Sequence, residues 1–180
     1  VAHARREIGL ALGEQPTAKG YPASVMSLIP SLVERAGMGD TTSGGSITGI
    51  YTVLADGDDT NDPVVDSARA ILDGHVVLSR ANAQMGIYPA VDISASISRV
   101  MNDIVDPKHL AAARRMRQLV SLYMENRDLM LMGGYVEGQD ADLDQAVKLW
   151  PKIVEFISQR SDSRADFKTS IRDLFAVAGT

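Results

Sequence analysis

An arginine, a tyrosine and a dense run of aspartates are the residues of this sequence whose types and spacing could do chemistry, and each also has a plainer explanation. Arg99 closes the run Ser96-Ile97-Ser98-Arg99. A guanidinium offers several donors in a rigid fork, stays protonated at any working pH, and can stabilise charge spreading over phosphoryl oxygens. Taken by itself, an arginine in such a run is more often a surface or ion-pair residue. Tyr88 sits in Gly86-Ile87-Tyr88-Pro89, where the following proline biases it toward an extended conformation suited to presenting a ring at a strand end. The commoner role of a lone tyrosine is structural. The loop Asp56-Gly57-Asp58-Asp59-Thr60-Asn61-Asp62-Pro63 concentrates carboxylates and suggests calcium. An EF-hand loop starting at Asp56 would need glycine at Asn61 and glutamate at Ser67, so that reading fails and a solvated acidic turn is the default. His3, His75 and His109 are too few and too scattered for a metal centre; within its apolar strand, His75 reads as a hydrogen-bonded structural residue. Arg114, Arg115 and Arg117 crowd one turn, the usual pattern of the wet face of an amphipathic helix. A phosphate-binding loop needs glycine amides to wrap the phosphates and a lysine before Ser or Thr to neutralise them. Only Lys168 precedes a threonine, and Phe167 stands where glycine is required.

The elements that would position these residues follow from periodicity. Ala2 to Leu12 favours helix and Gly13 stops it, and Gln15 to Pro22 is a loop. Val25, Leu28, Ile29, Leu32 and Val33 follow helical spacing, with Pro30 expected to kink or restart the helix. Ser46 to Leu54 is dense in β-branched residues without polar alternation, as in a strand covered on both faces. Val64, Val65, Ala68, Ile71 and Leu72 form a helical stripe, and His75-Val76-Val77-Leu78 reads as another buried strand. Strands alternating with helices predict a parallel α/β sheet with chemistry at the strand ends. Beyond Pro107 the signal is purely helical: Leu110, Ala113, Met116, Val120, Tyr123 and Met124 form one stripe, and Leu143, Ala146, Val147, Trp150, Val154 and Ile157 a second. Phe167, Ile171 and Leu174 form a third, and a glycine-rich connection, Gly133 to Gly138, separates the first two. A boundary near Val105 therefore divides residues 1–105 from a helical domain at 106–180.

Composition narrows the function classes. With 45% apolar and 23% charged residues, the 180-residue chain can bury a proper core. Its net charge of -5 and scarcity of aromatics argue against nucleic acid and anionic membranes as partners. Zero cysteines exclude disulfides and thiolate metal sites. Together with the lack of a signal peptide or long uncharged apolar run, this favours a cytoplasmic home. The chain opens on Val1 already in a helical pattern with no capping residue before it, which predicts that it begins inside a domain.

Several runs carry a family resemblance. Ala4-Arg5-Arg6-Glu7-Ile8-Gly9-Leu10-Ala11-Leu12-Gly13-Glu14, Lys19-Gly20-Tyr21-Pro22, Leu32-Val33-Glu34-Arg35-Ala36-Gly37 and Gly45-Ser46-Ile47-Thr48 resemble successive landmarks of the bacterial flagellar and type III secretion export ATPases. So do Ile71-Leu72-Asp73-Gly74-His75-Val76-Val77-Leu78-Ser79-Arg80 and Gly86-Ile87-Tyr88-Pro89-Ala90-Val91-Asp92, followed by Ser96-Ile97-Ser98-Arg99. The resemblance spans the chain, is strongest from Ala4 to Val105, and extends more loosely to the catalytic subunits of rotary ATP synthases.

What the resemblance implies is specific. The fold would be the C-terminal half of a RecA-like, parallel-sheet α/β ATPase core followed by a small all-helical domain. The parent would hydrolyse ATP with Mg2+ in a homo-hexameric ring, coupling this to protein export through the flagellar apparatus at the inner-membrane gate. Its phosphate loop, catalytic glutamate and magnesium-binding aspartate would precede Val1, leaving this stretch inactive alone. Arg99 takes the position of an arginine finger reaching into the neighbouring subunit's site. Tyr88 takes that of the ring against adenine, with Tyr135, in the Met132 to Tyr135 turn, as a second wall. The Asp58, Asp59 and Asp62 loop would face the pore and touch a coiled-coil stalk protein, and the helical domain would contact export chaperone–substrate complexes. The alternatives are an injectisome ATPase, a rotary ATP synthase subunit, or a non-catalytic ring or stalk-binding scaffold.

Overall fold

The computed structural model describes residues 1–40, 42, 44–55 and 62–179, and their contacts divide the chain into Val1–Asp73 and Gly74–Thr180. In the first unit, α1 (Ala2–Ala11) and α2 (Ala23–Val33) are followed by β1 (Gly37–Met38), which pairs antiparallel with β2 (Ser46–Ile47), and then by α3 (Pro63–Ile71). Tyr21, Val25 and Val64 form its core, with Ala2, Met26 and Ile29 packed against them. Gly9 lets α1 approach the loop before α2, since a Cβ there would meet Pro22 Cγ at 2.8 Å. The helix α2 runs through Pro30 as one element rather than restarting there.

Asp62 starts α3: its carboxylate accepts from the backbone N–H groups of Val64 at 2.9 Å and Val65 at 3.4 Å, and Pro63 supplies a pre-set first helical φ. Only 7% of Asp62 is exposed, and Lys19 Nζ lies 3.9 Å from its other oxygen. That occupation corrects the expectation of Asp62 as an outward-facing stalk contact; Asp58 and Asp59 lie outside the described residues. The covered strand expected over Ser46 to Leu54 is also corrected. Only Ser46–Ile47 pairs, and Ile50 and Leu54 are 92% and 94% exposed. A β-branched run signals a surface made to be covered, and nothing in the described unit covers these two side chains.

The second unit contains β3 (Gly74–Leu78), α4 (Arg80–Gln84), β4 (Val91–Ser98), α5 (Met101–Ile104), α6 (Pro107–Leu131), α7 (Ala141–Ile157) and α8 (Phe167–Ala178). Here β3 and β4 pair antiparallel, where a parallel arrangement was expected. The twelve residues from Ser79 to Ala90 that join them, α4 included, lead the chain back beside β3 in the opposite direction. Strands end at Ser98, and every described element after Val100 is helix.

The α6, α7 and α8 helices surround a core of Met116, Leu119, Val120, Ala146, Ile153, Leu174 and Val177, against which Ile93 of β4 packs. Tyr123 and Trp150 stack at 3.8 Å between ring centroids. Each of these helices starts on an aspartate, Asp106, Asp140 or Asp166, whose side chain accepts from first-turn N–H groups. Those bonds, to His109 for Asp106 and Thr169 for Asp166, hold the two carboxyls below the ordinary carboxylate range. Because the folded-state values are depressed, the capping stability is present above the ordinary carboxylate pKa and is lost as pH falls through the lowered ones.

Candidate functional site

Tyr88 is placed by a short chain of hydrogen bonds ending on a buried neighbour. Ser79 caps α4, the Asn82 side-chain amide donates to the Val91 carbonyl at 2.9 Å, and the Ile87 N–H donates to the Asn82 carbonyl at 3.0 Å. Gly86, at φ +77, turns the chain out of α4, where a Cβ would be strained. Ile87 is then buried, which aims the next residue outward: Tyr88 is 57% exposed. Its carbonyl accepts from the Gln159 N–H at 2.7 Å, tying the Tyr88 loop to the turn after α7. Between them lies an open cleft of about 890 Å³ lined by Gly86, Tyr88 and Pro89 on one side and Ser158, Gln159, Arg160 and Ser163 on the other. Its volume falls within the roughly 300–1,000 Å³ of small-molecule sites. Arg160 is committed to Asp162 through a two-pronged ion pair of 2.9 and 2.8 Å, which holds the Asp162 carboxyl below its ordinary range.

Arg99 stands exposed on the bend between β4 and α5. Tyr88 precedes β4 and Arg99 follows it, so the structure places them at opposite ends of the strand. Tyr135 lies elsewhere. Its hydroxyl donates to Asp144 Oδ1 at 2.6 Å, and the other oxygen of Asp144 accepts from the Gly138 N–H at 2.8 Å. Tyr135 does not line the Tyr88 cleft, whose second wall is the 158–163 turn. No ligand-facing role was read from the sequence for that turn, Ser158-Gln159-Arg160-Ser161-Asp162-Ser163.

Residues 1–98 match the ATP synthase alpha/beta family, nucleotide-binding domain, and residues 105–176 match the EscN ATPase C-terminal domain of type III secretion. The chain belongs to the ATP synthase alpha/beta family. It is 53% identical, over 96% of its length, to the flagellum-specific ATP synthase of Salmonella typhimurium, of which it covers 38%. The assembled ATPase EscN from the enteropathogenic E. coli type III secretion system superposes with a TM-score of 0.92 at 43% identity, over 98% of this chain and 42% of that one. EscN in complex with its central stalk EscO superposes at 0.84 with 41% identity, over 98% of this chain and 41% of that one. The chain thus spans about two fifths of the length of these relatives.

Family membership implies ATP and magnesium, and the residues present fit one end of such a ligand. An exposed ring facing a polar turn suits a purine, which offers a face for stacking and edges for hydrogen bonds. Among the described residues no group of three or more His, Asp or Glu could hold a metal ion, and none of the helices is long and apolar enough to cross a membrane.

The Tyr135 bond gives a prediction of its own. The Asp144 carboxylate, first by accepting the hydroxyl hydrogen bond, then with desolvation and its charge, pushes the phenol up to about 12. Because the folded value is raised, the protonated phenol contributes stability that is intact below the ordinary tyrosine pKa near 10 and is lost as pH rises toward 12. Titration followed by phenolate absorbance should reveal one late tyrosine, which Asp144→Asn returns toward 10. A titration unchanged by that substitution would remove the bond from the account of this loop.

Proposed function

We propose that this chain is part of a MgATP-hydrolysing export ATPase that works as a homo-hexameric ring and drives protein export through the flagellar type III secretion apparatus. Tyr88 contacts the adenine across the cleft from the 158–163 turn, and Arg99 completes a neighbouring subunit's site. The observation that carries this is the placement of Tyr88 and Arg99 at opposite ends of β4. Eight strand residues at about 3.3 Å each set the two too far apart for a nucleotide stacked on Tyr88 to meet Arg99 of the same subunit. That separation supports a role for Arg99 in a site built with another chain. ATP supplies the bond to be broken; this chain supplies a stacking face for the base and a fixed cation for the phosphoryl charge.

Flagellar export is favoured over an injectisome by the higher identity to a flagellum-specific relative, 53% against 43% for EscN. Residues 106–180 form the helical domain in this reading, and they present export chaperones and substrates to the ring at the inner-membrane gate. Tyr135, tied to Asp144, acts through the shape of the loop joining α6 to α7. The acidic loop, through Asp58 and Asp59, meets a coiled-coil stalk; the complex of EscN with its stalk EscO supports that partner class. Steady-state hydrolysis by the full-length enzyme tests the reading. Tyr88→Ala should raise KM for MgATP more than it lowers kcat, because stacking contributes on the order of 1–3 kcal/mol per base and acts far from the breaking bond. An unchanged KM in a folded, assembled variant would leave Tyr88 a structural residue, and absence of any MgATP turnover would overturn the enzyme.

A further inference from the structure

The three arginines that read as one wet helix face do separate jobs. Arg115 is bonded to Gln118 and, across to α7, to Asp142 and Gln145. Arg114 and Arg117 turn the other way. Arg114, Arg117 and Ser121 are spaced by three and four residues, which places them on one stripe of α6, and each is tied to a different point of the segment that carries Arg99. Ser121 Oγ lies 2.9 Å from Ser94 Oγ, Arg117 Nη2 donates to the Ser96 carbonyl at 2.8 Å, and Arg114 Nη2 donates to Asn102 Oδ1 at 3.2 Å. As the helix is followed backward, the strand and its extension run forward. Arg99 falls midway between the last two anchors, three residues from each.

Those anchors are themselves held. In the register of β3 and β4, His75 faces Ile97 and Val77 faces Asp92, so Val76 alone stands against residues 93–96. That loosened stretch is the part of β4 laid on α6: Ile93 packs against the helical core, and Ser96 Oγ accepts from the Val77 N–H while donating to the Asp92 carbonyl. After Ser98, the backbone that carries Arg99 is a bend leading into the four-residue α5. Such a short helix has little stability of its own, so its direction is set by what grips it from outside.

We propose that Arg114 and Arg117 are positioning residues that brace the Arg99 segment from both sides, so that the helical part of the chain aims the arginine at a neighbouring subunit's phosphoryl group. The inference rests on the reading of Arg99 as an arginine finger acting in trans. Both bonds lie on the surface, where they contribute little to global stability. Their importance is geometric, since a displacement of about 1 Å at a reacting centre can cost on the order of 10²-fold in rate.

The test uses the full-length ATPase, with kcat, KM, thermal midpoint and ring assembly measured for each variant. The double variant Arg114→Met/Arg117→Met should lose roughly 10- to 100-fold in kcat with KM within about twofold, and assembly intact. Arg117→Lys should recover most of the turnover, because a single donor suffices for the Ser96 carbonyl. Arg115→Met, which removes the bonds to Gln118 on α6 and to Asp142 and Gln145 on α7, should leave kcat unchanged. Mixed rings provide the readout that a merely structural role would not move. Double-variant subunits combined with subunits lacking the phosphate-loop lysine should regain turnover, because an intact phosphate site then meets a braced Arg99 from its neighbour.

If Arg99→Ala is inactive while the double variant keeps kcat within about twofold, the brace is wrong and the finger stands. If Arg99→Ala itself turns over near normally, the finger reading falls first. A loss of kcat that no mixed ring recovers identifies general structural damage and also overturns the brace. Should the double variant fail to assemble, Asn102→Ala removes the Arg114 tie from its other side. An Asn102→Ala enzyme with unchanged kcat then decides against the proposal.

Discussion

Arg99→Ala in the full-length, assembled ATPase is expected to lower turnover by roughly 10³-fold or more while leaving nucleotide affinity nearly intact. The asymmetry follows from when the charge appears. A guanidinium aimed at phosphoryl oxygens meets little extra charge in the ground state and most of it as the bond breaks, so its loss is felt in kcat. Arg99→Lys should be almost as defective, because an ammonium is a point charge without the planar fork that spans several oxygens. This contrasts with Arg117, where lysine can replace the single bond to a carbonyl. The trans arrangement is checked by mixing Arg99→Ala subunits with subunits that lack the phosphate-loop lysine, each inactive alone. Some interfaces in the mixed ring then pair an intact phosphate loop with an intact Arg99, and partial activity should return. Near-normal turnover of Arg99→Ala, or no recovery at any mixing ratio in folded rings, would exclude the role.

The second large effect is one of stability. Ile153→Ala should destabilise the helical region by about 2–5 kcal/mol. Ile153 is fully buried and packs in the core shared by α6, α7 and α8. Truncation removes the transfer free energy of its methylenes and leaves a cavity that three packed helices cannot close. Phe167→Ala is the paired control. That ring is 71% exposed and meets only the edge of the helical region, with His109 at 6.2 Å between ring centroids, so its loss should fall within about 0.5 kcal/mol. Urea unfolding of the 180-residue chain, followed by fluorescence of its single tryptophan, Trp150, reads this region through the stack on Tyr123. Equal midpoints for the two variants would contradict the assignment of the core.

That pair also marks where sequence reasoning went astray. The periodic pattern placed Phe167 in a buried stripe and passed over Ile153 and Leu119, both fully buried. A 3.6-residue period locates the apolar side of a helix only to within about one residue. The rotation that buries Ile153 comes from α8 lying against α6 and α7 together, a fact of three-body packing absent from any single stripe. The same limit applies to Tyr135. The glycine-rich turn was legible, but the Asp144 carboxylate that captures its hydroxyl lies nine residues away on the next helix.

What the sequence determined by itself was local or carried in order along the chain. Helical stripes after Pro63 and beyond Pro107 were legible, while the capping of those helices by Asp62 and Asp106 was shown by the structure. The succession of runs from Ala4 to Arg99 identified the family, and the change from β-branched runs to helical stripes located the end of the strands. Only the tertiary structure decided the rest. It paired β3 with β4 antiparallel, left Ile50 and Leu54 uncovered, and built the second wall of the Tyr88 cleft from a turn some seventy residues further on. It also divided three adjacent arginines between two neighbours. One turn of helix points side chains three residues apart along one line and those between them elsewhere, and which neighbour lies on each line is settled only when the helices and the strand have packed.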